Sequence, residues 1–166
     1  MHSEILQSQQ RLGHLFEQAR LLLDNEAVDE EVRVQFVWYL CVRTCGFVEW
    51  SVQRILMRYV ESSSSNQPIQ DFIDTRSRNI TPNRDGILRL VGDFSSEWQN
   101  ELRQLIQNEK SASLTNMVRN RHQIAHGRDV DLTYLQLKGY FDDAQSIVQM
   151  VYDVCDSTAV TNSNGE

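Results

Sequence analysis

Proline and glycine are scarce in this sequence, with 2 Pro and 7 Gly among 166 residues. Both residues interrupt regular structure, so their scarcity argues against a chain built from many tight turns. No stretch alternates apolar and polar residues as a half-buried strand does, and there is no internal repeat or Gly-rich phosphate loop. These absences exclude a β-rich protein and a P-loop protein, and they favour a helical fold.

Long apolar runs and a cysteine framework are also missing. No run approaches the roughly 20 apolar residues of a membrane span, and the first residues (MHSEILQSQQ) lack the basic and apolar regions of a signal peptide. The 3 cysteines are an odd number without metal-ligand spacing, and Cys41 and Cys45 share one helical face, where we expect free thiols. We therefore expect a cytoplasmic protein that does not cross a membrane.

Positive charge is in short supply, since 16 Lys and Arg stand against 23 Asp and Glu, which gives a net charge of −7. This balance excludes a protein that coats nucleic acid indiscriminately. The distribution is uneven, because residues 74–128 carry 9 basic and 6 acidic side chains, whereas residues 129–166 carry 1 and 7. A local anion-binding surface within residues 74–128 is therefore compatible with an acidic protein.

Helical periodicity is what the sequence does contain. A length of 166 residues and a hydrophobic content of 40% suffice for one domain with one core. We predict an all-α helical bundle of three to four long helices with short inserted helices, forming a single domain over residues 1–156 with a disordered polar tail over 157–166. The long helices are expected at about 3–24, 29–61, 111–127 and 132–156, and the short ones at about 68–78, 83–91 and 95–106.

The third long helix carries an unusual density of polar groups in its last two turns. These groups are Arg119, Asn120, Arg121, His122 and His126. His122 and His126 are four residues apart and lie on one face with Arg119, while Arg121 lies a little over a third of a turn round from His126. Imidazole exchanges protons near neutral pH and guanidinium binds phosphate through two hydrogen bonds. The pattern therefore favours a small site for a phosphate group.

Two other interpretations of this cluster remain open. Ser111 or Ser113 can cap the start of the helix and Gly127 is a natural stop, so the cations can simply stabilise the helix end. Cations there are worth about 0.3–1 kcal/mol each, and a buried helix end needs donors for its last carbonyls. A zinc site is the weaker alternative, because the His122–His126 pair lacks the Glu of an HExxH helix and a third ligand at a diagnostic spacing. We expect neither a metal nor a cofactor.

The residues from Arg121 to Gly127 (RHQIAHG) resemble the signature of the HEPN superfamily. That signature is an Arg, a polar residue that is most often Asn, a few further positions and then a His. The order of elements is also similar, with two long helices, a short-helical insert, the motif helix and a long closing helix. The resemblance covers about residues 30–155, and the segment from Asn79 through FSSEW is similar to the RiboL-PSP-type branch.

The resemblance implies a function and roles for the motif residues. Many HEPN domains are dimeric, metal-independent endoribonucleases of toxin–antitoxin, abortive-infection or other antiviral systems, with the motif helices of two protomers facing each other across a shared cleft. Carried onto this chain, His126 is the general acid/base and Arg121 the phosphate clamp, while the RNA 2′-OH is the nucleophile. His122 stands where Asn is usual, which leaves its exact role open. Arg119 with Asn120 is a second possible start of the motif, and Arg128 is a supporting RNA-binding candidate.

The expected partners follow from the same resemblance. They are an RNA substrate, a second copy of the chain, and an antitoxin or other regulatory protein. The alternative function is a non-catalytic HEPN-like module that binds nucleotides or RNA, or that pairs with a partner protein. A structural dimer whose His and Arg cluster only caps a helix end is the third hypothesis.

Overall fold

The computed structural model describes residues 1–63, 67–77 and 80–162, and in this part of the chain it contains helices and no strand. Four helices have 18–34 residues and three have 9–11. In chain order they are α1 (Ser3–Leu23), α2 (Glu30–Ser63), α3 (Gln67–Ser77), α4 (Arg84–Gly92), α5 (Ser96–Leu105), α6 (Asn108–Ala125) and α7 (Tyr134–Asn162). The predicted all-α bundle of long helices with short insertions is confirmed.

The four long helices alternate in direction. Near one end of α1, Glu4 pairs with Arg54 on α2 at 2.8 Å; near the other, the Phe16 carbonyl accepts a hydrogen bond of 3.0 Å from the Tyr134 hydroxyl at the start of α7. Helix α6 is joined to α7 by a short connection and lies antiparallel to it. Away from this connection, the Ser113 hydroxyl of α6 contacts Asp143 of α7. Helices α2 and α7 therefore run parallel, and α6 runs opposite to α2.

One continuous apolar core lies between these helices. Phe141 of α7 stacks on Phe16 of α1 with ring centroids 4.5 Å apart, and the edge of Phe47 from α2 approaches the same ring at 6.3 Å. Leu114 and Met117 hold α6 in this core, since each is at most 1% exposed. The apolar side of the motif helix is thereby fixed, and in its last turn Ile124 also packs against the core.

The predicted boundaries of α6 and α7 differ from the observed ones for local reasons. Helix α6 begins at Asn108 rather than Ser111, and the prediction that Ser111 or Ser113 caps it is wrong. Instead, the Ser113 hydroxyl donates to Asp143 at 2.5 Å. Helix α7 begins at Tyr134 rather than Leu132, because Thr133 and Gln136 form a reciprocal capping box with bonds of 2.9 and 3.2 Å.

Helix α7 also continues past its predicted end at Asp156, through the backbone of residues 157–162. No Gly or Pro interrupts this stretch of sequence, so nothing in the backbone chemistry stops the helix there. Residues 163–166, the rest of the predicted disordered tail, lie outside the described residues. Among those described, no helix is both long and apolar enough to span a membrane.

Candidate functional site

The C-terminus of α6 is closed by its own backbone. Gly127 has a φ of +68°, a left-handed conformation that favours glycine, as its position after the helix predicts. Its amide donates to the Ile124 carbonyl at 3.0 Å, and the Arg128 amide donates to the Gln123 carbonyl at 3.0 Å. These two bonds form a Schellman motif. The carbonyls of His122, Gln123 and Ile124 therefore have backbone donors, and in the described part of the chain no side chain of the motif cluster donates to them.

The two motif histidines are in contact at this helix end. The ring centroids of His122 and His126 are 4.4 Å apart and the rings meet edge to face at 70°. Both side chains are exposed. The four-residue spacing predicted this proximity, since one turn of helix separates the two positions. Two imidazoles at a solvent-accessible surface can accept a proton from one group and deliver a proton to another.

The arginines of the cluster lie on different sides of α6. Arg119 is exposed and shares the face of the two histidines by helical spacing, one turn before His122. Arg121 is also exposed but adjoins α2, where its charge acts on Cys41, Cys45 and Glu49. In the described residues, no hydrogen bond links Arg121 to His126.

The two remaining candidates, Asn120 and Arg128, differ in solvent exposure. Asn120 is buried, with 8% of its surface exposed, so it is the least accessible member of the predicted set. It continues the inward-facing row of Leu114 and Met117 at three-residue steps. Arg128 is exposed and follows Gly127 directly. A basic surface therefore extends around the end of α6, with Asn120 beneath it.

Acidic residues border this basic surface on the side of the α6–α7 connection. A groove of about 740 Å³ is lined there by carboxylates of α2 and of the connection, together with the apolar side chains of Val34, Trp38 and Val130. The Trp38 indole nitrogen donates to the Val130 carbonyl at 3.1 Å and so anchors the connection to α2. The surface favourable to phosphate thus ends at Arg128, where Asp129 and Asp131 begin.

Glu49 is a residue near the motif that the sequence pattern does not single out. It is partly buried on α2, and this burial raises the pKa of its carboxyl group, while the nearby charge of Arg121 opposes the rise. The available signal was a single carboxylate within the otherwise apolar run GFVEW.

No group of three or more potential metal ligands is found among the described residues.

Comparison with known protein families gives a match that covers most of the chain. The family model described as RiboL-PSP-HEPN matches residues 5–157 of this chain. No curated protein and no solved structure matches it.

Proposed function

The chain belongs to the RiboL-PSP-HEPN family, and we propose that it is a metal-independent endoribonuclease acting at the end of α6. The observation that carries this proposal is the exposed His122–His126 pair, with ring centroids 4.4 Å apart, on a helix end that a backbone Schellman motif closes. Because the cluster is not required to cap the helix, the purely structural hypothesis loses its main support.

The proposed reaction uses the nucleophile that RNA supplies. A 2′-OH attacks the adjacent phosphorus, the bond to the 5′-oxygen breaks, and a 2′,3′-cyclic phosphate and a 5′-OH end result. His126 takes the proton of the attacking 2′-OH or gives a proton to the departing 5′-oxygen. Arg121 stabilises the charge on the phosphate. His122, Arg119 and Arg128 support the strand at the exposed surface. No step requires a metal ion, because proton transfer and charge stabilisation are supplied by side chains.

A homodimer is part of the proposal. The motif side chains are exposed, so one chain alone leaves the phosphate open to water, and a two-fold axis would supply a second His126. Tyr39, Val42 and Trp50 lie on one face of α2, beside its contact with α6, and are 39–43% exposed. Such a row of exposed apolar side chains is typical of a surface that a partner covers.

We predict that sedimentation will show a dimer at tens of micromolar and that Trp50→Asp will shift it towards monomer. The new carboxylate would have to lose its hydration shell to enter a closed apolar interface. Leu21→Asp is the matched control, since Leu21 is 57% exposed on α1, and this variant should remain dimeric. A monomeric wild-type protein with full cleavage activity would contradict the shared site.

The proposal extends to a cytoplasmic toxin or antiviral effector held in check by an antitoxin or other regulatory protein. Its support is the family, in which these roles are common. The acidic groove beside the motif is compatible with a basic regulatory segment, because it carries Glu30, Glu31, Asp129 and Asp131.

The test of the reaction is cleavage of mixed-sequence RNA in the presence of EDTA. We expect products with 2′,3′-cyclic phosphate and 5′-OH ends, and no cleavage of DNA of the same sequence, which lacks the nucleophile. An oligonucleotide with a single 2′-O-methyl group should resist cleavage at that position only. Binding of RNA without cleavage would support the non-catalytic binding module instead. Cleavage that EDTA abolishes would show that the metal-independent mechanism is wrong.

A further inference from the structure

A second, smaller groove adjoins the acidic groove beside the motif. The acidic groove, of about 740 Å³, lies between the start of α2 and the α6–α7 connection. The smaller one, of about 470 Å³, continues it towards the first residue of α7. The two form one depression in the surface, because four residues line both of them: Glu30, Val34, Val130 and Asp131. We refer to the two together as the α2–connection groove.

Apolar side chains line the α2–connection groove along its length. Val34 is 39% exposed and lines both parts, while Trp38 and Tyr134 are partly buried and line one part each. The Trp38 indole nitrogen donates to the Val130 carbonyl at 3.1 Å, so this hydrogen bond ties the two walls together before anything binds. Such a preformed apolar groove favours binding, because an occupant removes apolar surface from water without first ordering the walls.

Four carboxylates border these apolar side chains. They belong to Glu30 and Glu31 at the start of α2 and to Asp129 and Asp131 on the connection, and all four residues are exposed. In the described part of the chain none of these four carboxylates forms an ion pair, whereas Glu4, for example, is paired with two arginines. The border of the groove therefore carries negative charge that the chain itself does not neutralise.

Arg33 is the one cation among the described residues that line the groove. Its guanidinium donates to the Leu23 carbonyl at 3.5 Å, in the smaller part. One guanidinium against four carboxylates leaves a net charge of −3 on the lining. This charge repels an RNA strand, and it disfavours a second copy of the chain, whose net charge is −7. The occupant that fits is a segment of another protein with Lys or Arg beside apolar side chains.

We propose that the α2–connection groove is the docking site for a basic, apolar segment of a partner protein, and that this segment blocks the path of RNA at Arg128. This inference rests on the proposed ribonuclease function. Asp129 follows Arg128 directly, so a segment held by Asp129 and Asp131 lies beside the basic end of the motif. It occupies the space that an RNA strand needs on that side of Arg128. It therefore raises KM for RNA and leaves the chemistry of a bound strand unchanged.

The first test measures binding without RNA. The probe is a short labelled peptide in which Lys and Leu are spaced so that a helix carries Lys on one face and Leu on the other. Its Kd, from fluorescence anisotropy, should rise by about 3- to 30-fold when Glu31→Gln is combined with Asp131→Asn, which removes two exposed charge pairs. Glu101→Gln combined with Glu109→Gln removes the same charge from exposed positions elsewhere and should leave the Kd unchanged. Equal losses in the two double variants would show a response to net charge alone, and would overturn the proposal.

A second pair of variants tests the apolar part of the groove. Val34→Ser should weaken binding of the peptide by about 3- to 10-fold, because less apolar surface leaves water. Val32→Ser is the matched control, since Val32 is 51% exposed on the same helix and is not among the described residues that line the groove. It should bind the peptide as the wild type does. A peptide with Ser in place of every Leu should bind more weakly, and equal binding of the two peptides would contradict an apolar docking site.

The position of the bound peptide is measured by nuclear magnetic resonance. The indole N–H signal of Trp38, identified by its loss in Trp38→Phe, should move when the peptide is added, while the signal of the buried Trp98 stays in place. An unmoved Trp38 signal at saturating peptide would overturn the proposal.

The last measurement separates docking from the ribonuclease function. The peptide should raise KM for RNA in the wild type, and raise it less when Glu31→Gln and Asp131→Asn are combined. An active enzyme that binds the peptide in the groove with no change in KM would overturn the proposed block. Peptide binding with the expected pattern of variants, in a wild-type protein that cleaves no RNA, would overturn the ribonuclease function while retaining the docking site.

Discussion

His126→Ala is expected to lower the rate of RNA cleavage by about 10²–10⁴-fold, the typical contribution of a positioned acid/base group. The protein should remain folded, because the His126 side chain is exposed and its ring packs on the equally exposed His122 rather than on the core. Single-turnover cleavage of an end-labelled RNA measures the rate, and a thermal unfolding curve measures the fold.

The matched control for this prediction is His122→Asn. HEPN motifs most often carry Asn at that position, so this variant should retain far more activity than His126→Ala. Both variants remove the contact between the two imidazole rings, but only His126→Ala removes the proposed acid/base group. Comparing their cleavage rates therefore separates the effect of proton transfer from the effect of the ring contact. If His126→Ala unfolds the protein, or leaves cleavage intact, the catalytic role of His126 is wrong.

The end of the motif helix was predictable because its signals are local. Gly127 ends α6 in the left-handed conformation that its position indicates, and the spacing of His122 and His126 places their rings in contact. Both features depend on residues within about one and a half turns. Local capping chemistry is also present at Thr133 and Gln136, whose capping box starts α7 at Tyr134, two residues after the apolar Leu132 where the periodicity predicts the start.

The start of the motif helix and the orientation of its arginine could not be predicted in this way. Ser113 is a good capping residue, but its hydroxyl contacts Asp143, thirty residues later in the sequence. The effect of the Arg121 charge on the pKa of Glu49 depends on which helix packs against α6 and in which direction. Neither fact is contained in the periodicity of α6 itself. Asn120 is intermediate, since its three-residue step from Met117 indicated an inward position that the polar cluster obscured.

Replacing Arg121 is expected to have an effect as large as that of replacing His126. Arg121→Ala should abolish detectable cleavage while the protein remains folded, because the exposed guanidinium makes no hydrogen bond among the described residues. Arg121→Lys should also fail to restore full activity, since an ammonium is a point charge that does not reproduce a two-pronged contact with phosphate. Loss of one preorganised donor to a developing oxyanion typically costs about 10²–10³-fold in kcat.

Arg119→Ala is the control that decides which arginine begins the motif. Arg119 is also exposed on the same helix, two positions earlier, so the two variants remove the same charge from different sides of α6. If Arg119 only attracts the RNA strand, its loss should raise KM and reduce the salt dependence of binding by about one counterion, with kcat little changed. A kcat that falls more in Arg119→Ala than in Arg121→Ala would transfer the phosphate-clamp role to Arg119.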